Sequence, residues 1–210
     1  MLLTAGSVKA QKTISDGTIL YDIVMQSSNP AIKNNNTPTS KTVYLKGSSS
    51  RTDQVTSFGN ETNIHDAKTG NAVILKEFSG QKLMITLTKD NWAEKNKGYS
   101  GIKFALTNEE KTVAGYNTKK AIATMENGKT FVVWYAPDLQ VVNKDYDPTF
   151  TNLPGLAMEF EIESGQLKLK YTVAKVSFDP VLLTKFDFPK SGYRVMTYEE
   201  NQQMKKGGTQ

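Results

Sequence analysis

The chain of 210 residues contains no cysteine. Disulfides, thiolate metal sites, thiol catalysis and lipidation of an N-terminal cysteine are therefore excluded. It has a single histidine, His65, where nucleophilic catalysis usually needs a positioned base. His65 sits in a segment that reads as a strand end, and its neighbour Asp66 would point to the opposite sheet face, which is poor geometry for a dyad. Only Arg51 and Arg194 are arginines among the 26 basic residues. The formal charge of +5 is thus a lysine charge, scattered between strands. Nucleic-acid readout favours clustered charge and the guanidinium fork, so nucleic acid is not expected as a partner. No apolar run is long enough to span a bilayer.

What is present is β-strand. Period-two alternation recurs after Gly17, with turn signals closely spaced, and strands are expected at Thr18–Gln26, Thr42–Lys46, Arg51–Phe58, Asn63–Asp66, Gly101–Leu106 and Tyr193–Thr197. Three hairpins can be registered by matching residues across the turn. Ser79-Gly80 sets Glu77 against Lys82, Leu75 against Met84 and Ile74 against Ile85. Ser164-Gly165 sets Ile162 and Phe160 against Leu167 and Leu169, and Glu161 and Glu159 against Lys168 and Lys170. Asn127-Gly128 is a strong two-residue turn signal. It would set Ala121 beside Trp134 and Ala123 beside Val132, in a ribbon apolar on both faces and covered on both. Helix is expected at Lys89–Lys95 and for a turn or two at Asp179–Leu183. The stretch Ser27–Ser40 reads as a polar loop.

Length and uniform composition indicate one domain, residues 12–204. Residues 205–210 read as a flexible tail. Residues 1–11 resemble the end of a secretory signal, with Val8 and Ala10 as the small residues before a cleavage point and Gln11 beginning the mature chain.

Few motifs carry chemistry. Gly128-Lys129-Thr130 lacks the upstream glycine and the strand–loop–helix context of a phosphate loop. Asp145 and Asp147 offer two carboxylates where Ca²⁺ wants six or more oxygens. Glu159, Glu161 and Glu163 are matched by lysines and have a structural role. No catalytic residue, metal site or cofactor is expected.

Five segments in order carry a family resemblance: Gly17-Thr18-Ile19-Leu20-Tyr21, Gly115-Tyr116 through Lys119-Lys120-Ala121, Trp134-Tyr135, Leu153-Pro154-Gly155-Leu156, and Phe188-Pro189-Lys190-Ser191-Gly192-Tyr193. Together they resemble the bacterial envelope family named for its Gly-Leu-Pro-Gly-Leu-Ile (GLPGLI) signature, a family of unknown function, within the broader lipoprotein-carrier (LolA-like) superfamily. Asn152 stands at the signature's first Gly, Ala157 at its final Ile, and Thr118 where relatives often have Cys. The resemblance implies a mainly β (β-rich α+β) fold, an antiparallel sheet curled into an incomplete barrel with a few short helices on the concave side. It implies a location in the periplasm or cell envelope, or secretion. It also implies a non-catalytic protein that takes a lipid, a lipoprotein acyl chain or another hydrophobic ligand in its cleft. Trp134, Met125 and Met158 are then the expected liners, with Trp92 as a lid. The alternative is a structural or assembly partner of another envelope protein, engaged through a sheet edge or the Ser27–Ser40 loop.

Overall fold

The computed structural model describes residues 11–27, 39–57, 59–164 and 167–207. Residues 1–10, on which the expected signal end falls, most of the expected Ser27–Ser40 loop, and Gly165 of the expected Ser164-Gly165 turn lie outside them. The strands, in chain order, are β1 (Lys12–Ile14), β2 (Asp16–Ser27), β3 (Ser40–Lys46), β4 (Ser49–Thr56), β5 (Gly59–Asp66), β6 (Ala72–Phe78), β7 (Gln81–Leu87), β8 (Lys103–Val113), β9 (Tyr116–Thr124), β10 (Thr130–Ala136), β11 (Leu139–Val141), β12 (Leu156–Ser164), β13 (Leu167–Ser177) and β14 (Arg194–Thr197). Helix α1 covers Lys89–Asn96 and α2 covers Tyr198–Gly207. The chain end read as a tail from Lys205 is thus helical as far as Gly207.

Among the described residues the strands form one twelve-stranded sheet, in the order β14-β7-β6-β5-β4-β3-β2-β13-β12-β10-β9-β8, and a parallel pair of β1 with β11. The large sheet is open, because its outer strands β14 and β8 do not pair with each other. It is antiparallel except for β14, which lies parallel to β7. This is the mainly β, incompletely closed sheet with short helices that the sequence predicts.

The hairpins test the predicted registers. Ser79-Gly80 closes β6 on β7 with Glu77↔Lys82, Leu75↔Met84 and Ile74↔Ile85, as expected. Both turn residues have positive φ, the signature of a primed two-residue turn. In β12–β13 the expected faces hold, but the ladder is stepped by two residues, giving Ile162↔Leu169 and Glu161↔Lys170. An even step keeps every side chain on its face, and Lys168 still reaches Glu161 at 3.2 Å and Lys170 reaches Glu159 at 3.3 Å. In β9–β10 the expectation fails by one residue. Met125 and Lys129 close a three-residue loop, with Gly128 at φ 80 and its N–H bonded to Met125 O, so Val133 pairs with Ala121 and Trp134 with Lys120. An odd step exchanges the faces. Ala121, Ala123 and Val133 are buried, while Ile122 at 38% and Val132 at 40% stay exposed. The ribbon is covered on one side only.

Cross-strand partners share a face, so the register defines a core face through Ile19, Val43, Ile74 and Ile85 and an opposite face through Tyr44, Arg51, Ile64 and Val73. Most of a large apolar cluster, including Ile19, Tyr21, Val43, Val133, Met158 and Phe160, sits on the core face at one end of the sheet, closed by Leu139, Phe150 and Leu153. A smaller cluster of Ala72, Ile74, Leu83, Ile85, Leu87 and Met196 occupies the other end, beneath Trp92 of α1 and Tyr198 of α2. The core-face positions of β4 and β5 between them are polar. There Asn63 donates to Glu61 Oε1 at 3.0 Å, Lys76 pairs with Glu61 at 2.9 Å, and Lys41 pairs with Asp147 at 2.7 Å. The core face is therefore filled at its ends and polar across its middle, with a hollow of about 400 Å³ left beside Trp92 and Tyr99.

Leu153-Pro154-Gly155-Leu156 has a tertiary purpose. Leu153 and Leu156 are both buried in the large cluster, and Pro154 O accepts from Gln140 Nε2 at 3.2 Å. A Cβ on Gly155 would overlap the Ala136 carbonyl oxygen, which is fixed in β10. Gly155→Ala is expected to destabilise the fold by about 1–3 kcal/mol through forced displacement of packed backbone, read as a lower urea midpoint. An unchanged midpoint would show that the turn can move away.

Candidate functional site

A parallel pairing of β14 with β7 needs a crossover connection. Residues 178–193 provide it, running from the end of β13 across the face opposite the core. The distance is roughly 30 Å at ~4.8 Å per strand, within reach of an extended segment of this length. Three strand residues hold this strap. Val181 N donates to Asp16 Oδ1 at 2.8 Å, Arg51 Nη1 donates to Lys185 O at 3.0 Å, and the Tyr193 hydroxyl donates to Glu77 Oε1. The Lys185 ammonium also lies 5.0 Å from the Tyr44 ring centroid. Asp16, Tyr44, Arg51 and Glu77 all belong to the strap face by register.

Near its middle the strap stands off the sheet and roofs a chamber of about 560 Å³. Ile64 and Val73 contribute the apolar floor, and Phe186 and Phe188 the roof. Thr88 and Asn91 at the start of α1, with Thr197 and Glu199 at the start of α2, form one rim. Asn91 Nδ2 donates to Glu199 Oε1 at 2.7 Å, tying the two helix starts together. Both starts are built by capping boxes, Thr88 with Asn91 and Thr197 with Glu200.

The chamber holds little free charge. Asp66 at its edge accepts from Ser48 Oγ at 2.8 Å, from Lys68 N and from Thr69 Oγ1. These bonds, Ser48 foremost, hold its carboxyl below the usual range. The His65 ring is turned to the core face, stacked on Trp92 at 4.6 Å and 13°. Burial pushes its imidazole below the ordinary value against the opposing pull of Asp145 and Asp66, so it is neutral at neutral pH.

The four residues predicted as liners do not converge. Trp92 comes down on His65 and the smaller cluster, far along the sheet from Trp134. Trp134 faces the opposite side, with the Lys111 ammonium 4.3 Å from its ring centroid and Lys111 in turn paired with Glu159 at 2.7 Å. Met158 is 0% exposed, inside the large cluster. It is the extra residue of a bulge, since Tyr135 pairs with Ala157 and Trp134 with Glu159. Met125 and Trp134 do share a groove, between β10 and β12. Trp134 lies away from the core because the expected two-residue turn is a three-residue one. The strap aromatics Phe186 and Phe188 were outside the predicted set. Sequence offers a signal only for Phe188, held extended before Pro189; Phe186 ends a short 3-10 turn, Leu183–Phe186, that alternation does not reveal.

Among the described residues no cluster of three or more His, Asp or Glu is placed to hold a metal ion. No helix there is long and apolar enough to cross a membrane, which says nothing of β-barrel spans.

No protein-family model and no curated protein matches the chain. Among solved structures, a crystal structure of MucB is 11% identical with a TM-score of 0.36, the match covering 86% of this chain and 60% of that one. MucB in complex with MucA(peri) is 12% identical at 0.33, covering 84% and 55%. A complex of Pseudomonas aeruginosa MucA/MucB is 10% identical at 0.33, covering 82% and 56%. The chain thus spans between 55% and 60% of the length of these chains.

The strap anchors carry a pH dependence. The Lys46 and Val181 bonds hold Asp16 below its ordinary value, and the Tyr193 bond, with Lys82, does the same for Glu77. Tyr193 is correspondingly pushed up to about 12. A depressed carboxyl stabilises the folded strap above the unfolded carboxylate range of ~4, and that contribution is lost as pH falls through the folded values. In an NMR titration the Val181 and Tyr193 amides are expected to shift below pH ~4, and Asp16→Asn should remove the Val181 transition. Transitions at the ordinary carboxylate value would contradict this anchoring.

Proposed function

We propose that this chain is a non-catalytic cell-envelope protein that binds an apolar ligand, a lipid or an acyl chain, in the chamber beneath the strap. One observation carries the reading: an apolar chamber of about 560 Å³ between Ile64, Val73 and the strap rings Phe186 and Phe188. That volume is in the range of small-molecule pockets, roughly 300–1,000 Å³, and burying an acyl chain there is worth about 0.8 kcal/mol per CH₂. The site is on the strap face, not on the core face where the resemblance would put it. The non-catalytic reading is supported by the absence of cysteine and by the one histidine being stacked away on Trp92. The envelope location is supported by the five-segment resemblance.

The alternative, a partner of another envelope protein, is favoured by a separate feature, the opening between β10 and β12.

A fluorescent fatty acid is expected to bind the purified chain. Phe188→Asp should weaken binding at least tenfold without loss of the fold, because Phe188 is already 47% exposed and a buried carboxylate in the chamber is costly. Trp134→Asp, on a different part of the sheet, should leave binding unchanged. No binding, or a loss with Trp134→Asp and none with Phe188→Asp, would overturn the assignment.

A further inference from the structure

The large sheet is open along part of an internal seam. β10 and β12 are paired from Ala136↔Leu156 to Val133↔Phe160 and no further. Each strand nevertheless continues in its own hairpin, β10 to Thr130 beside β9 and β12 to Ser164 beside β13. Two strand edges, Thr130–Val132 and Glu161–Ser164, therefore face each other without a ladder between them. On the core face the Phe150 ring lies edge-on to rings of both strands, with centroids 6.5 Å from Phe131 and 4.7 Å from Phe160, and so bridges them where the ladder ends. The bulge at Met158 adds local twist just before the split.

The gap is a groove of about 640 Å³. Its lining comes from both sides of the sheet. Phe131, Phe160 and Ile162 belong to the core face, Val132 and Trp134 to the other, as expected where a sheet is parted. Alternate residues of each edge turn their N–H and C=O groups into it. The complement of such a row is another peptide backbone with the same repeat; a lipid chain leaves these groups unpaired.

We infer that this split accepts an extended peptide segment of another protein, added as a strand between β10 and β12. The paired lengths fit three or four residues, roughly 10–14 Å at ~3.4 Å per residue. The rim carboxylates are already matched: Glu159 with Lys111 and Lys170, and Glu161 and Glu163 with Lys168, which leaves Lys129 at one end of the groove as the lining cation outside these pairs. The groove therefore selects a segment without basic residues, with apolar side chains at alternate positions to meet Phe131, Phe160 and Ile162. This inference is independent of the strap-side chamber, and neither depends on the other.

The test uses the full chain and a defined set of labelled hexapeptides that alternate Val, Leu or Phe with Thr, read by fluorescence polarisation and hydrogen exchange. Binding is expected for at least one peptide, with slowed exchange at residues 130–132 and 161–163. N-methylation of alternate peptide amides should weaken it at least tenfold. Because the chain has no cysteine, Val132→Cys with Glu161→Cys gives a single disulfide that closes the split. The oxidised form should lose the peptide and the reduced form keep it, which controls for folding. Absence of binding, equal binding of the N-methylated peptides, or protection elsewhere would overturn the inference. So would a fatty acid, and not a peptide, protecting residues 130–132.

Discussion

One sheet has two faces, and this chain must cover both with few helices. That constraint organises the molecule. At 38% hydrophobic residues, apolar side chains are concentrated at the two ends of one face, and the middle of that face is left to ion pairs and amides. The larger cluster is closed by the connection between β11 and β12, the smaller by single aromatics from α1 and α2. Among the described residues the other face is crossed by the strap, pinned at Asp16, Arg51 and Glu77. A narrow segment crossing a broad sheet cannot pack everywhere beneath itself, and the chamber under Phe186 and Phe188 is where it does not.

Much of this was legible in the sequence, and the rest failed for local reasons. Strand content, the Ser79-Gly80 hairpin and the first helix follow from alternation and turn chemistry. The Glu/Lys ladder was legible as faces but not as register, because a step of two residues preserves the charge matches. Asn127-Gly128 misled through a single residue of loop length, which moved Trp134 and the exposed Ile122 and Val132 to the far face. Helix α2 was missed although Thr197 and Glu200 form a capping box and the acids precede the lysines, because Tyr198–Gly207 has few apolar residues to show a helical period. The β1–β11 pair is too short to read from pattern. The strap was unreadable as a strap: nothing local tells a sequence that its neighbours in space are Asp16 and Glu77.

The candidate site suffered most from the register error. Aromatic and methionine content pointed to ligand contact, but the residues chosen divide among a core bulge at Met158, a plug at Trp92, and a groove at Met125 and Trp134. Two of the openings among the described residues differ in chemistry. The strap-side chamber is mainly apolar, with Asp66 and Glu199 at its rim engaged in hydrogen bonds, suited to a chain of methylenes. The β10–β12 split exposes backbone and apolar rings between matched charges, suited to a peptide. Both openings arise where the chain fails to complete its own sheet or its cover.

The central claim is that apolar cargo lies under the strap. A photoreactive fatty acid, bound to the purified chain and illuminated, locates it directly by mass spectrometry of the labelled peptides. The account predicts label on the strap around Phe186 and Phe188 and on the strands that carry Ile64 and Val73. Label concentrated on Phe131, Phe160 or the large core cluster would contradict it.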